Sequence, residues 1–443
     1  MSLTTDQQNV DHSLSAITPE QAARICAAWA DEGSFGDHVV YERDGRWVFA
    51  AGARVRIVLT KDTITVTRDA DQTSRGWAGD PSIALDAALR ALDLPQWRVY
   101  GWVGFDFCAS HHDLTDRVLD DAVLAHLIVP EFEAYVDATG IDTSSVDPVR
   151  AERLHEIASN TGQLAESAPI DVTADVDDYR GRVATAVAEI RRGDYQKVIM
   201  SRRVSIPFSV DMPATYARGR AGNNPARSFL LSLGSLEAAG FSPELVVAVD
   251  ERGTVVTEPL AGTRAFGRSA QQDSSARAEL VSDSKEIAEH AISVRACFDE
   301  IESIAVADST AVSEFMVVRE RGSVQHLAST VRGSLDPAAG PWRALAVLFP
   351  SITASGIPKR EAIEAIYRLE PHGRELYSGA VLTASSAGDL EATLALRTAF
   401  SDDGQAWLCA GAGVVDQSTP DREFEETCEK LGSVAPFVVP AAD

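Results

Sequence analysis

The chain has 443 residues, 45% of them hydrophobic and 24% charged, which is an ordinary globular composition with enough apolar material for a large core. Its formal net charge of −26 excludes the basic footprint of a nucleic-acid binder and argues against docking on anionic lipid. An anionic substrate would need positive charge focused locally, by a metal or by a few Arg and Lys.

Met1 to Ser15 is polar and acidic, so residues 1–17 read as a disordered tail and no signal peptide is expected. No window approaches the ~20 apolar residues that span a bilayer. The five cysteines (Cys26, Cys108, Cys297, Cys409 and Cys428) include no C-x-x-C pair, which points to reduced thiols in a cytoplasmic protein rather than to disulfides or zinc.

Val39 to Tyr41, then Asp44-Gly45, then Trp47 to Ala50 read as a hairpin, with Asp-Gly taking the positive φ angles of the turn. Arg54 to Thr67 continues as strand, and Val99 to Phe105 is a further buried strand with close-packing glycines. The polar stretch 142–176 reads as a surface connection within one domain. Asp177 or Asp178 caps a helix to Arg192, with Tyr179, Val183, Val187 and Ile190 as its apolar stripe and Gly193 as its end. Strands follow at 197–206, 228–233, 245–249 and 254–257, then a helix from about Ser284 to Ile304. Meandering strands with separate helices give an α+β class rather than a βαβ array. No nucleotide-binding glycine motif is present.

Two helices each offer a pair of carboxylates. In Pro420 to Lys430, Glu423, Glu426 and Lys430 share a face; in Asp283 to His290, Glu286 and Glu289 do. Such doublets can hold a hard divalent cation, and Mg²⁺ is expected, with waters and substrate oxygens completing its shell. Blander readings stand beside this one. Asp283-x-x-Glu286 is also a capping box, and Glu426–Lys430 is also an ordinary surface i,i+4 pair. Gly411-Ala412-Gly413 and Gly262-Thr263-Arg264 let backbone approach a ligand, or are plain turns. Lys197 sits among Val198, Ile199 and Met200, and Glu244 precedes the apolar Leu245 to Val247, so both are candidates for partial burial. A lysine base and a glutamic acid suit a reaction in which water adds and a hydroxyl leaves, provided burial or neighbours favour the neutral form of each.

Tyr195 to Arg202, Phe241-Ser242-Pro243-Glu244, Pro259 to Arg264, Ser284 to His290, Val324 to Ser329, Leu376-Tyr377-Ser378-Gly379 and Glu423 to Lys430 together resemble the chorismate-utilising enzymes. That family comprises anthranilate synthase large subunits, aminodeoxychorismate synthase, isochorismate synthases and salicylate synthases. The motifs run in family order over about 180–432. Within the family the chain is most similar to the mycobactin-type salicylate synthases, including Tyr41 to Val48 of its first third.

The resemblance implies one α+β domain over 18–440, with large antiparallel sheets, helices outside and a deep Mg²⁺ site. It implies Lys197 as the water-activating base and Glu244 as the acid for the departing C4 hydroxyl. Glu289 and Glu426 correspond to metal ligands, supported by Glu286 and Glu423. Tyr377 and Arg397 correspond to residues that grip the enolpyruvyl carboxylate. Gly262, Thr263, Lys430 and the Gly411–Gly413 backbone correspond to the wall near the ring, and His326 to a histidine of the pyruvate-releasing step. Lysine at 197 implies water rather than ammonia as nucleophile, and Gly262-Thr263-Arg264 resembles the lyase-type members. The implied activity is Mg²⁺-dependent conversion of chorismate to salicylate and pyruvate through isochorismate, for siderophore biosynthesis. A cytoplasmic monomer without an amidotransferase subunit is expected. The alternatives are an isochorismate synthase that stops halfway, an anthranilate synthase-like enzyme and a non-catalytic relative that keeps the pocket.

Overall fold

A computed structural model describes residues 16–321 and 324–442. Most of the expected tail, residues 1–15, lies outside them. Ile17 is described: its amide donates to the Ala138 carbonyl, and its side chain packs on a hydrophobic cluster. The next residue, Thr18, forms a capping box with Gln21 that starts helix Pro19–Asp31.

Among the described residues every strand pairing is antiparallel, and the strands form two large sheets, one of ten and one of twelve strands. The expected α+β architecture is therefore the observed one. The hairpin of strands His38–Arg43 and Arg46–Ala51 turns on Asp44 and Gly45, at φ 51° and 77°. Its alternation shows how the layers are built. Val39, Tyr41, Val48 and Ala50 face an apolar layer shared with Tyr100, Trp102, Ile128 and Val381 of the other sheet. Val40, Phe49 and Ala51 point the opposite way, against Ala23, Cys26 and Trp29 of helix Pro19–Asp31. The second sheet packs helices on its outer side in the same fashion, with Leu85 and Leu89 against Ile57 and Leu59. Helices thus cover a pair of stacked sheets, as period-2 side-chain alternation requires.

Helix Tyr179–Arg192 starts at Asp178 and ends at Gly193 with φ 86°, and it buries the stripe Tyr179, Val183, Val187 and Ile190. It lies against helix Pro420–Leu431, where the Tyr179 and Phe424 rings meet at 6.2 Å between centroids. The predicted strand Val99 to Phe105 is shorter, Arg98–Val103, because a 3₁₀ turn begins at Phe105. Gly411 and Gly413 lie in the last four residues of the long strand Gln405–Val414 and so are strand-end residues rather than a plain turn. That strand pairs with Lys197–Ser205, setting Ile199 opposite Gly413 and Ser201 opposite Gly411. All five cysteines are free thiols. Among the described residues, no helix is long and apolar enough to cross a membrane.

Candidate active site

A cavity of about 530 Å³ opens where both sheets meet helices Ser284–Glu302 and Pro420–Leu431. All the candidate residues named from the sequence line it. They come from segments far apart in the chain, and each is placed by its local element.

Lys197 begins its strand and is buried, with Nζ 2.7 Å from Glu289 Oε1. The space for this pair comes from Gly413. A Cβ there would stand 3.3 Å from both Glu289 Oε1 and Lys197 Cε. Burial pushes the Glu289 carboxyl upward, but Lys197 overcomes it, so the net direction is down.

Glu244 precedes strand Leu245–Val249 and is 3% exposed. Ser351 Oγ donates to its Oε1 at 2.6 Å, and Thr353 Oγ1 donates to the same oxygen. Burial raises its pKa to about 7; the two hydroxyls and Lys197 pull against that rise, and Glu258 adds to it. At neutral pH this carboxyl therefore holds a proton part of the time, as a general acid requires.

The two carboxylate doublets reach the cavity from separate helices. Asp283 caps helix Ser284–Glu302 by accepting from the Lys285 and Glu286 amides. Only that half of the predicted capping box forms. The Glu286 side chain instead accepts from Arg264 Nη1 at 3.1 Å, and Arg264 also binds Asp283 and Glu279. Gly262, at φ 62°, leaves the room: a Cβ there would lie 2.9 Å from Glu286 Oε2. Glu426 forms the i,i+4 pair with Lys430 at 2.8 Å, but on the cavity wall rather than on a solvated surface. Lys430 donates in addition to the Gly411 carbonyl at 2.8 Å.

Glu286 and Glu423 are both pushed upward, first by burial. Neighbouring carboxylates add to this, Glu289 and Glu426 for Glu286, and Glu426 for Glu423. Four acids therefore crowd one wall, and three of them are tied to Lys197, Arg264 and Lys430. With the side chains so paired, no group of three donors among the described residues converges at metal-holding distance. The donor set itself, all carboxylate oxygen with mutual repulsion to relieve, fits a hard divalent cation.

On the other side of Gly262 from Glu286 stands His326, whose Nδ1 lies 3.0 Å from the Gly262 carbonyl and 3.1 Å from Thr263 Oγ1. A carbonyl can only accept, so Nδ1 carries the proton and Nε2 accepts from Arg397 Nη2 at 2.9 Å. Tyr377 is buried, and burial pushes its hydroxyl well above the ordinary range, so it serves as a neutral donor. A Cβ on Gly411 would come within 3.0 Å of that hydroxyl. Cationic Arg397 and Lys430 thus flank the cavity, with Tyr377 as a neutral donor beside them.

Sequence reading did not single out Ser351, Thr353 or Arg374. The signal was the buried acid itself, since a carboxylate at an apolar strand end must find donors somewhere. Arg374 stands behind the site, 5% exposed. It donates to both oxygens of Glu370 and to the carbonyls of Ala354 and Ile199.

Residues 39–436 match the model of the chorismate binding enzyme family. The chain is 46% identical over 424 residues to a salicylate synthase of Mycolicibacterium paratuberculosis, covering 96% of this chain and 94% of that one. It is 35% identical to an anthranilate synthase component 1 of Halobacterium salinarum over 72% of this chain, spanning 61% of that relative's length. The crystal structure of anthranilate synthase component I from Streptococcus pneumoniae superposes with a TM-score of 0.73 at 25% identity, covering 88% of this chain and 92% of that one.

Proposed function

The chain belongs to the chorismate-binding enzyme family, and from that premise we propose that it is a salicylate synthase that converts chorismate to salicylate and pyruvate by way of isochorismate. The observation that carries this reading is the 46% identity to a salicylate synthase over nearly the full length of both chains. The cavity supports it, because it brings a lysine, a protonatable acid and separate anchors for two carboxylates into one space.

Lys197 is the base: parted from Glu289 and in its neutral form, its amine takes a proton from water as the oxygen attacks C2 of the ring. Both ring double bonds shift, C1=C2 to C1=C6 and C5=C6 to C4=C5, the C4–oxygen bond breaks, and Glu244 gives its proton to the departing hydroxyl. Isochorismate results. Its enolpyruvyl carboxylate is held by Arg397 and Tyr377, with Arg397 steadied by His326. The C2 hydrogen then passes to the enolpyruvyl methylene carbon while the C3–oxygen bond breaks. Pyruvate leaves and the ring becomes aromatic. Fixing the enolpyruvyl arm over the ring lowers the entropic part of this barrier.

Glu286, Glu289, Glu423 and Glu426 would hold Mg²⁺, which would screen the ring carboxylate and orient it. Glu289 is shared between that role and Lys197. The enzyme acts in the cytoplasm as a monomer, needs no amidotransferase subunit, and supplies salicylate for siderophore assembly.

Incubation with chorismate and Mg²⁺, followed by chromatography and a coupled pyruvate assay, tests the reading. Salicylate and pyruvate in equal amounts are expected. Isochorismate accumulating without pyruvate would make the chain an isochorismate synthase, and no turnover would leave it a binding relative.

A further inference from the structure

Ser351 and Thr353 form a triangle with the Glu244 carboxyl. Each hydroxyl contacts Oε1, and the two hydroxyl oxygens are 2.7 Å apart. Two hydroxyl protons therefore serve three contacts. With Glu244 ionised, both can point at Oε1. With Glu244 protonated on its other oxygen, both can remain, or one can turn to its neighbour.

The loop that carries them is firmly tied. The Ala354 amide and the Ser355 hydroxyl both donate to the Ser351 carbonyl at 2.9 Å. Arg374 donates to the Ala354 carbonyl at 2.7 Å, and the Ile199 amide donates to the Ser355 carbonyl at 2.8 Å. Ile199 lies two residues after Lys197 on the same strand. One short loop thus ties the acid to the strand that carries the base.

We propose that Ser351 and Thr353 are positioning residues for the proton donor: they seat Glu244 through Oε1 alone and leave Oε2 to present the proton to the leaving hydroxyl. This rests on the reading of Glu244 as the acid for water addition. A carboxylate free to rotate would offer either oxygen, and only one can aim at the substrate while the other is occupied. Hydrogen bonds to a carboxylate also favour its charged form. The pair therefore limits how strongly the acid holds its proton, against the upward push of burial. The other titratable groups facing Glu244 are Lys197, Glu258 and the Cys297 thiol, and the variants below alter none of them.

The test compares Ser351→Ala and Thr353→Val with Thr353→Ser. The readout is the pH profile of kcat/KM for water addition to chorismate, with pyruvate release from supplied isochorismate as control. Losing one hydroxyl moves the alkaline limb up by about one pH unit. Thr353→Ser keeps the parent profile, and the control reaction is unchanged in all three. An alkaline limb that stays in place in both Ser351→Ala and Thr353→Val overturns the proposal. Glu244→Gln separates the two levels: if it loses water addition while the limbs stay fixed, only the positioning role fails, whereas if it stays active the acid assignment fails as well.

Discussion

Replacing Arg374 by Met removes a cation from the inside of the molecule and leaves its partner behind. Arg374 and Glu370 are 2.7 Å apart at closest approach, and their side chains are 2% and 5% exposed. Four hydrogen bonds leave the guanidinium for Glu370, Ala354 and Ile199. In the variant Glu370 keeps a bond from the Ser201 amide but loses its counter-charge. Removing one partner of such a buried pair costs about 3–5 kcal/mol, since the remaining charge is uncompensated. The double variant Arg374→Met/Glu370→Gln should recover a large part of that loss, because the orphaned charge is gone. Urea unfolding, with free energies taken by linear extrapolation, measures both. Water addition should fall as well, since Ile199 lies two residues after Lys197 and Ala354 follows Thr353. A loss below about 1 kcal/mol in the single variant would refute this, because it would mean that Glu370 finds solvent or another partner.

Other substitutions separate the roles within the cavity. Lys197→Ala should abolish salicylate formation from chorismate while largely keeping pyruvate release from supplied isochorismate. Loss of the second activity would count against a role confined to water addition. Glu244 lies in the unusual direction for a carboxyl. Its folded-state pKa of about 7 exceeds the ordinary glutamate value of 4.5, so the folded state binds more protons across that window, and stability falls as pH rises through it. The gap is worth about 3 kcal/mol above pH 7. Glu244→Gln should therefore unfold at higher urea concentration than the parent at pH 8, with little difference at pH 4, and equal midpoints at pH 8 would contradict the burial argument. Glu423→Gln should weaken Mg²⁺ binding, read by calorimetry on the free protein, by roughly tenfold or more. Unchanged affinity would detach Glu423 from the metal.

The hairpin at Asp44-Gly45 and the capped helix from Tyr179 were legible in the sequence because their signals are local. Residue periodicity also put Glu423, Glu426 and Lys430 on one helix face. What periodicity could not show is the convergence of two helices and both sheets on one cavity, since strand order is set by long-range pairing. The partners of the buried groups were hidden for the same reason. Nothing local in Ser351-Ile352-Thr353 says that its hydroxyls meet a carboxyl more than a hundred residues earlier. The Asp283–Glu286 spacing was legible and half misleading, because Arg264 competes for Glu286 and offers a charged donor in place of a backbone amide.

If Lys197 and Glu244 direct solvent water onto the chorismate ring before pyruvate departs, the hydroxyl of the product comes from solvent. Running the reaction with Mg²⁺ in heavy-oxygen water and weighing the product by mass spectrometry tests it directly. Salicylate carrying a single solvent oxygen, at the phenolic position, is the predicted result. Unlabelled salicylate would contradict water addition, since its hydroxyl would then have come from the substrate itself.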